Sequence, residues 1–501
     1  MRIDHVALLP GYAAATTAVL VLVLDLLFPG RRGVVLAGAA VGAAATAALA
    51  FGLALSGDEA RFAFCGSACS FTVDGRAAAL MGVFALVTLG VLGLSATTRA
   101  PMGEHCFLLA CSMTGGVLLA GAADLITLIV ALETLTLPLY VLVGLRRTLV
   151  SADAAVTFLV VSVVATAVSL LGAGLLYAST GAVHFGQMNA AAKDPSLRPL
   201  AVVGCVLLLG GLGFKVAAVP LHAWAPPTYD GAPLPVAAYL STASKLGGVV
   251  ALVYVSVEAV PFEHDVAVAA LVVLALLTMT VGNLVALRQR RMVRLLAWSS
   301  IAQAGYILAA LAVPDGGATA LTYAVFFVAL ELAAFAAVVA LRTPAPVEAD
   351  ARVLVPAGGA PAVPAAPARA PQVIDDGGTL ADYAGAARGA PWRSAALVLA
   401  LAGLAGLPPG IAGLFAKVAV VRSLVDSDAT WLAVIVALNA VVGLAYYVRA
   451  GAGLFAPAEP GTPVRWPRPH WTIAVTTALI ALVALVIGFA PQIVFDAAAA
   501  R

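Results

Sequence analysis

Of the 501 residues, 62% are hydrophobic and only 10% are charged, and the formal net charge is +2 at pH 7. Soluble domains carry about 25% charged residues, so this composition excludes a soluble fold, and the near-balanced charge leaves no basic surface for nucleic acid. The five cysteines form no CxxCxxC run and flank no histidine pair, and the chain has no P-loop, GxGxxG or GxSxG, so nothing supports an iron–sulfur, zinc, nucleotide or serine-hydrolase site.

Apolar runs of about twenty residues recur along the whole chain. Taken in order they predict fourteen spans, near 5–28, 34–55, 76–97, 105–121, 124–144, 154–178, 200–221, 232–256, 266–286, 292–312, 317–341, 394–423, 430–453 and 470–490. The expected fold is therefore an all-α polytopic membrane protein. The first span is too long for a signal-peptide core and is expected to be retained. Between spans two and three, Cys65-Gly66-Ser67-Ala68-Cys69 is either a small disulfide loop or two unpaired thiols. Residues 343–392, rich in Ala and Pro with two Gly-Gly pairs, are expected to be a mobile linker. Arg31-Arg32, Arg146-Arg147 and the Arg288–Arg294 cluster all fall in loops on one side of this topology. The positive-inside rule makes that side cytoplasmic and puts both termini outside.

Lysine usage separates charge meant for the surface from charge meant for the interior. The chain has four lysines, and Lys215, Lys245 and Lys417 all fall within apolar spans while arginine supplies the loop charge. A cation at mid-bilayer costs roughly 2.5–3.5 kcal/mol on insertion scales. An ammonium can exchange its proton when desolvated, whereas a guanidinium stays charged. Lysine in these positions points to reversible protonation; snorkelling to the headgroups is the competing reading. Glu133 and Glu331 lie equally deep, at the middle of spans five and eleven. Glu133 is expected to pair with Lys215.

Two spans are interrupted. Span seven runs Gly213-Phe214-Lys215 into Val219-Pro220-Leu221-His222, and span twelve runs Leu404 to Gly410 through Pro408-Pro409 before resuming at Phe415-Ala416-Lys417. Proline removes a backbone bond and clashes one turn back, and open backbone at this depth must line a cavity or be covered by protein. The breaks occupy the fourth place in spans 4–8 and in spans 9–13, which predicts two inverted five-helix repeats. The expected units are spans 1–3 (1–100), the first repeat (101–258), the second repeat in two parts (265–342 and 393–455) around the 343–392 linker, and a final span (468–501).

The segments Asp124–Leu142, Phe214–Lys245 (FKVAAVPLHAWAPPTYDGAPLPVAAYLSTASK), Ser299–Tyr306 (SSIAQAGY), Gly406–Lys417 (GLPPGIAGLFAK) and Tyr446–Arg449 carry a resemblance. The chain resembles the antiporter-like membrane subunits of respiratory complex I (NADH:quinone oxidoreductase), within them the bacterial subunit N group. The likeness extends over nearly the whole chain outside the linker. It implies a proton relay through Glu133, Lys215, Lys245 and Lys417, with His222 matching a family histidine of tuning role and Glu331 standing where relatives are uncharged. Thr157 stands where many relatives have lysine, and Pro227 replaces a usual acid.

The resemblance further implies that the subunit binds no cofactor itself. NADH, FMN, iron–sulfur clusters and quinone would be used in other subunits. Its partners would be other membrane-arm subunits, sister antiporter-like subunits among them, and the lipid of a bacterial cytoplasmic (inner) membrane, with no nucleic acid. Two other functions compete: a sodium/proton antiporter subunit of the same fold outside any redox enzyme, and a structural spacer whose charges only fix helix packing.

Overall fold

The computed structural model describes residues 3–57, 59–191, 195–260, 264–342, 377–457 and 466–500. Among them, twelve helices are long and apolar enough to cross a membrane: Leu9–Leu27, Arg32–Leu55, Gly75–Thr97, Met102–Ala120, Leu125–Gly144, Leu149–Thr180, Arg198–Lys215, Leu234–Ala259, Asp265–Ala286, Gly316–Arg342, Thr430–Gly453 and Trp471–Phe489. The expectation of fourteen differs at two places. Met292–Leu311 is a 20-residue helix, but Arg294, Ser299, Ser300 and Gln303 dilute its apolar content. The span expected over 394–423 is two shorter helices, Pro391–Ala405 and Ala412–Asp426.

One element departs from the all-α expectation. Arg61–Cys65 and Cys69–Val73 form an antiparallel hairpin, and a Cys65–Cys69 disulfide closes its turn, which decides between the two readings of that pair. The hairpin is stitched to neighbouring loops on its side of the bundle: Thr72 N donates to Gly121 O (2.8 Å) and Ala123 N to Ser70 O (3.0 Å). The arginine-bearing loops gather at the other side. There Arg146 donates to the carbonyls of Asp230, Gly231 and Ala232, and Arg449 donates to those of Leu287 and Gln289.

The segment read as a linker divides. Residues 343–376 lie outside the described residues, whereas 377–392 pack on the bundle. Tyr383 is buried and donates to Gly377 O (2.7 Å), and Leu380 N donates to Arg290 O (2.7 Å). The run of prolines ends before this stretch, which has an aromatic residue to bury.

Side-chain caps set where key helices begin. The Asp124 carboxylate accepts from Thr127 N at 2.6 Å and opens the helix that carries Glu133; such a cap contributes about 1 kcal/mol. Asp74 does the same for Gly75–Leu94. Burial then sorts the helices. The 149–180 helix turns Val156, Val160, Val163 and Leu171 outward, as a lipid-facing helix does. At the centre, the 234–259 span is wholly buried over its most apolar window and the 316–342 span is 89% buried. These two innermost helices carry Lys245 and Glu331.

Both expected breaks are present. The helix Arg198–Lys215 ends at Lys215, earlier than the proline implied, and the chain resumes at Ala225. The exposed backbone between is satisfied locally: Ala218 N donates to Gly213 O (2.8 Å), Val219 N to Thr278 Oγ1 (3.0 Å), and Trp224 Nε1 to Phe214 O (3.2 Å). The second break turns at Gly406, whose φ of 85° lies in the left-handed region that favours glycine. Gly410 then lies directly against the backbone of Gly403, an approach that any side chain would block. Val219–Pro220 and Pro408–Pro409 are cis.

Candidate proton-relay site

The first station lies where the Glu133 helix faces the end of Arg198–Lys215. Lys215 Nζ donates to Glu133 Oε1 at 2.8 Å, to Thr136 Oγ1 at 3.2 Å and to Ser162 Oγ at 3.4 Å. The lysine side chain is 4% exposed and the glutamate 21%. Thr166 Oγ1 also donates to Glu133 Oε1 (2.8 Å), and Tyr140 OH donates to Ser162 Oγ (2.6 Å). A buried ion pair needs such extra hydrogen bonds, because Coulomb attraction alone rarely offsets the desolvation of both charges. The pairing expected from sequence is present. Its hydroxyl surround was not foreseen, although Thr136 sits one helical turn from Glu133.

Lys245 is the second station. It follows a π-helical stretch, Leu240–Ser244, within an otherwise α-helical span; such bulges commonly occur at functional sites. Tyr229 OH donates to Leu240 O at the start of the bulge (3.2 Å). Lys245 Nζ donates to Ser300 Oγ at 2.7 Å. One turn further along the same helix, Gly248 lies against Lys215, so closely that a Cβ there would come within 2.9 Å of Lys215 Cβ. The first two lysines therefore belong to contacting helices. A small cavity of about 10 Å³ lies beside Lys245, lined otherwise by apolar side chains, among them Val216, Val249 and Phe327.

Glu331 faces this station from the 316–342 helix. It is fully buried, and neither carboxylate oxygen has a hydrogen-bond partner among the described residues. The 316–342 helix that carries it packs directly on the π-helical stretch before Lys245.

Polar groups continue from Lys245 to Lys417 along the Met292–Leu311 helix. Ser300 is followed one turn on by Gln303, whose Nε2 donates to Tyr447 OH (3.0 Å) and to Leu404 O (3.1 Å) and whose Oε1 accepts from Tyr323 OH. Lys417 Nζ donates to the same Leu404 carbonyl and to Ala405 O, both at 2.8 Å. Those carbonyls end the Pro391–Ala405 helix, where the last C=O groups lack helical partners and the macrodipole favours a cation. Lys417 also lies 5.9 Å from the Tyr306 ring centroid. All three amines are thus bonded to interior groups, against the snorkelling alternative.

The motif SSIAQAGY pointed to this helix, and Ser300, Gln303 and Tyr306 fall on one face at helical spacing. Their place between Lys245 and Lys417 was not read from it. His222 stands apart: Nδ1 donates to Pro220 O (3.2 Å), and the ring lies edge-on to Trp298 with centroids 5.2 Å apart. It is not brought to the lysines. No cluster of three His, Cys, Asp or Glu suited to a metal ion occurs among the described residues.

Residues 122–353 match the family model described as "NADH:quinone oxidoreductase/Mrp antiporter, TM". Over 99% of its length the chain is 55% identical to the NADH-quinone oxidoreductase subunit N of Salinispora tropica, covering 99% of that protein too. The chain belongs to the subunit N family of NADH-quinone oxidoreductases. Another family member, subunit N 2 of Streptomyces griseus, is 41% identical over 95% of this chain and 90% of its own. Among solved structures, a chain of respiratory complex I from Thermus thermophilus with bound aureothin superposes with a TM-score of 0.78 at 29% identity, covering 97% of this chain and 99% of its own. A chain of the Mrp complex from Dietzia sp. shares the fold alone, with a TM-score of 0.76 at 20% identity, covering 98% of this chain and 95% of its own.

Proposed function

We propose that this chain is a proton-translocating membrane subunit of an NADH:quinone oxidoreductase and moves protons through the Glu133, Lys215, Lys245 and Lys417 relay. The observation that carries the reading is the Glu133–Lys215 ion pair, 2.8 Å long, seated at the end of a broken membrane helix. A carboxylate beside an amine favours the charged form, and its withdrawal favours proton release. A shift of Glu133 relative to Lys215 therefore loads or unloads the lysine. Lys245, on the contacting helix, receives the proton when water enters between the two amines, and the Ser300–Gln303–Leu404 trail leads on to Lys417. Glu331 is the counter-charge of Lys245; His222 is a peripheral residue in this scheme.

Packing supports the inverted repeats. The 102–120 helix packs on 125–144 as the 264–286 helix packs on 292–311, and each broken pair packs on the third helix of its own unit. The driving energy comes from quinone reduction in partner subunits, where NADH, FMN and iron–sulfur clusters would act. The partners are other membrane-arm subunits, including antiporter-like sisters. The chain lies in a bacterial cytoplasmic membrane with both termini outside.

The test is Lys215→Met in the assembled complex, with protons moved per electron measured in inverted vesicles. The expected result is a lowered ratio with NADH oxidation by an artificial acceptor retained; an unaltered ratio contradicts the relay. Sodium-driven transport in vesicles lacking any NADH dehydrogenase would instead favour the antiporter reading.

A further inference from the structure

On the arginine-rich side of the bundle a cleft of about 680 Å³ opens between the loops that join the first six helices. Arg32, Arg99, Arg146 and Arg147 line it, together with Asp25 and Glu104. Neither acid forms a salt bridge with any of the four guanidinium groups. Arg32 donates to the Thr98 and Ala100 carbonyls and Arg146 to those of Asp230–Ala232, which fixes both groups, and four guanidinium groups against two carboxylates leave the cleft with an excess of positive charge. Arg147 sits at a φ of 53°, a left-handed conformation that L-residues rarely adopt.

A second concavity adjoins the first. Arg32 and Met102 line both the cleft and an apolar groove of about 1090 Å³, walled by Leu36, Val83, Leu89, Val325, Trp471 and Leu479. The groove follows the Gly75–Thr97 helix from Ala96 near the cleft to Arg76 at the other membrane face. Its length is therefore that of the bilayer's hydrocarbon core.

We propose that cleft and groove together form a binding site for an anionic phospholipid, with the phosphate among the four arginines and the acyl chains along the groove. Charge decides the headgroup: basic pockets between membrane helices on the cytoplasmic side select anionic lipids. Continuity through Arg32 decides the occupant, because a free phosphate would use the cleft alone, whereas a zwitterionic lipid brings beside its phosphate a cation that the arginines repel.

The experiment uses the assembled complex in mixed-lipid nanodiscs, with photoactivatable phosphatidylglycerol or phosphatidylcholine as probe and cross-links mapped by peptide mass spectrometry. Phosphatidylglycerol should label the 32–51, 79–93 and 471–483 segments in preference to phosphatidylcholine. Arg99→Gln/Arg147→Gln should reduce that preference by roughly five-fold for each guanidinium removed, and Arg99→Lys/Arg147→Lys should keep it. Ala37→Phe, which fills the groove and leaves the charge intact, should lower labelling of the groove. Equal labelling by the two lipids, wild-type labelling in the Gln variant, displacement by millimolar inorganic phosphate, or cross-links to a neighbouring subunit in place of lipid would each overturn the proposal.

Discussion

Glu133 is tied to the interior by two donors, and Lys215 by three acceptors. Removing one partner leaves the other charged and unpaired, which for a fully buried pair costs about 3–5 kcal/mol; the 21% exposure of Glu133 trims this. Glu133→Gln is therefore expected to lower the thermal midpoint of the purified complex and to lower proton pumping, both measured on the same preparation. Glu331 differs, since its carboxylate oxygens have no hydrogen-bond partner to lose among the described residues. Glu331→Gln is expected to assemble normally, as read by complex yield, and to lower the proton-to-electron ratio by unbalancing Lys245. At this scale the sequence was readable wherever a charge stood in an apolar run. Ser162, Gln303 and Tyr447 were not, because hydroxyls and amides are common in membrane helices and become informative only when a neighbouring helix brings them to an amine.

The two breaks were legible as elements, since proline in an apolar span has few other meanings. Their true ends were not: Lys215 is already the last helical residue, because the chain satisfies its freed carbonyls before the proline is reached. The π-helical stretch before Lys245 left no trace in the periodicity, as a one-residue bulge changes no residue type. Gly406→Ala is predicted to destabilise by about 1–2 kcal/mol, since alanine is strained at φ 85°, and to disturb the carbonyls that hold Lys417; a lowered thermal midpoint checks it. Across the repeats, Asp230 accepts from Arg291 and Arg294 at 3.0 Å each. This clasp fastens the short helix Ala225–Gly231 after the first break to the start of the Met292–Leu311 helix, the one that bears Ser300 and Gln303. Asp230→Ala is expected to lower pumping without touching a lysine, together with a modest loss of stability.

Across the whole molecule, hydropathy foretold the succession of spans, and arginine placement foretold which loops share a side. The small hairpin escaped notice because its two five-residue strands lie between much stronger apolar signals. The ordering of 377–392 also escaped, because its partners, Arg290 and Arg291, lie some ninety residues earlier. The orientation proposed from the charge bias is testable. After reduction, Cys65 and Cys69 should react with an impermeant maleimide added outside intact cells, whereas a cysteine placed at Arg388 should react only in inverted vesicles; the opposite pattern reverses the topology. The central claim, that the buried amines serve by exchanging protons rather than by supplying fixed charge, is tested most directly at Lys245. Arginine there keeps the charge but cannot release the proton. With assembly verified, the account predicts that Lys245→Arg lowers the proton-to-electron ratio as far as Lys245→Met does. A wild-type ratio in the arginine variant, beside a lowered one in the methionine variant, would contradict it.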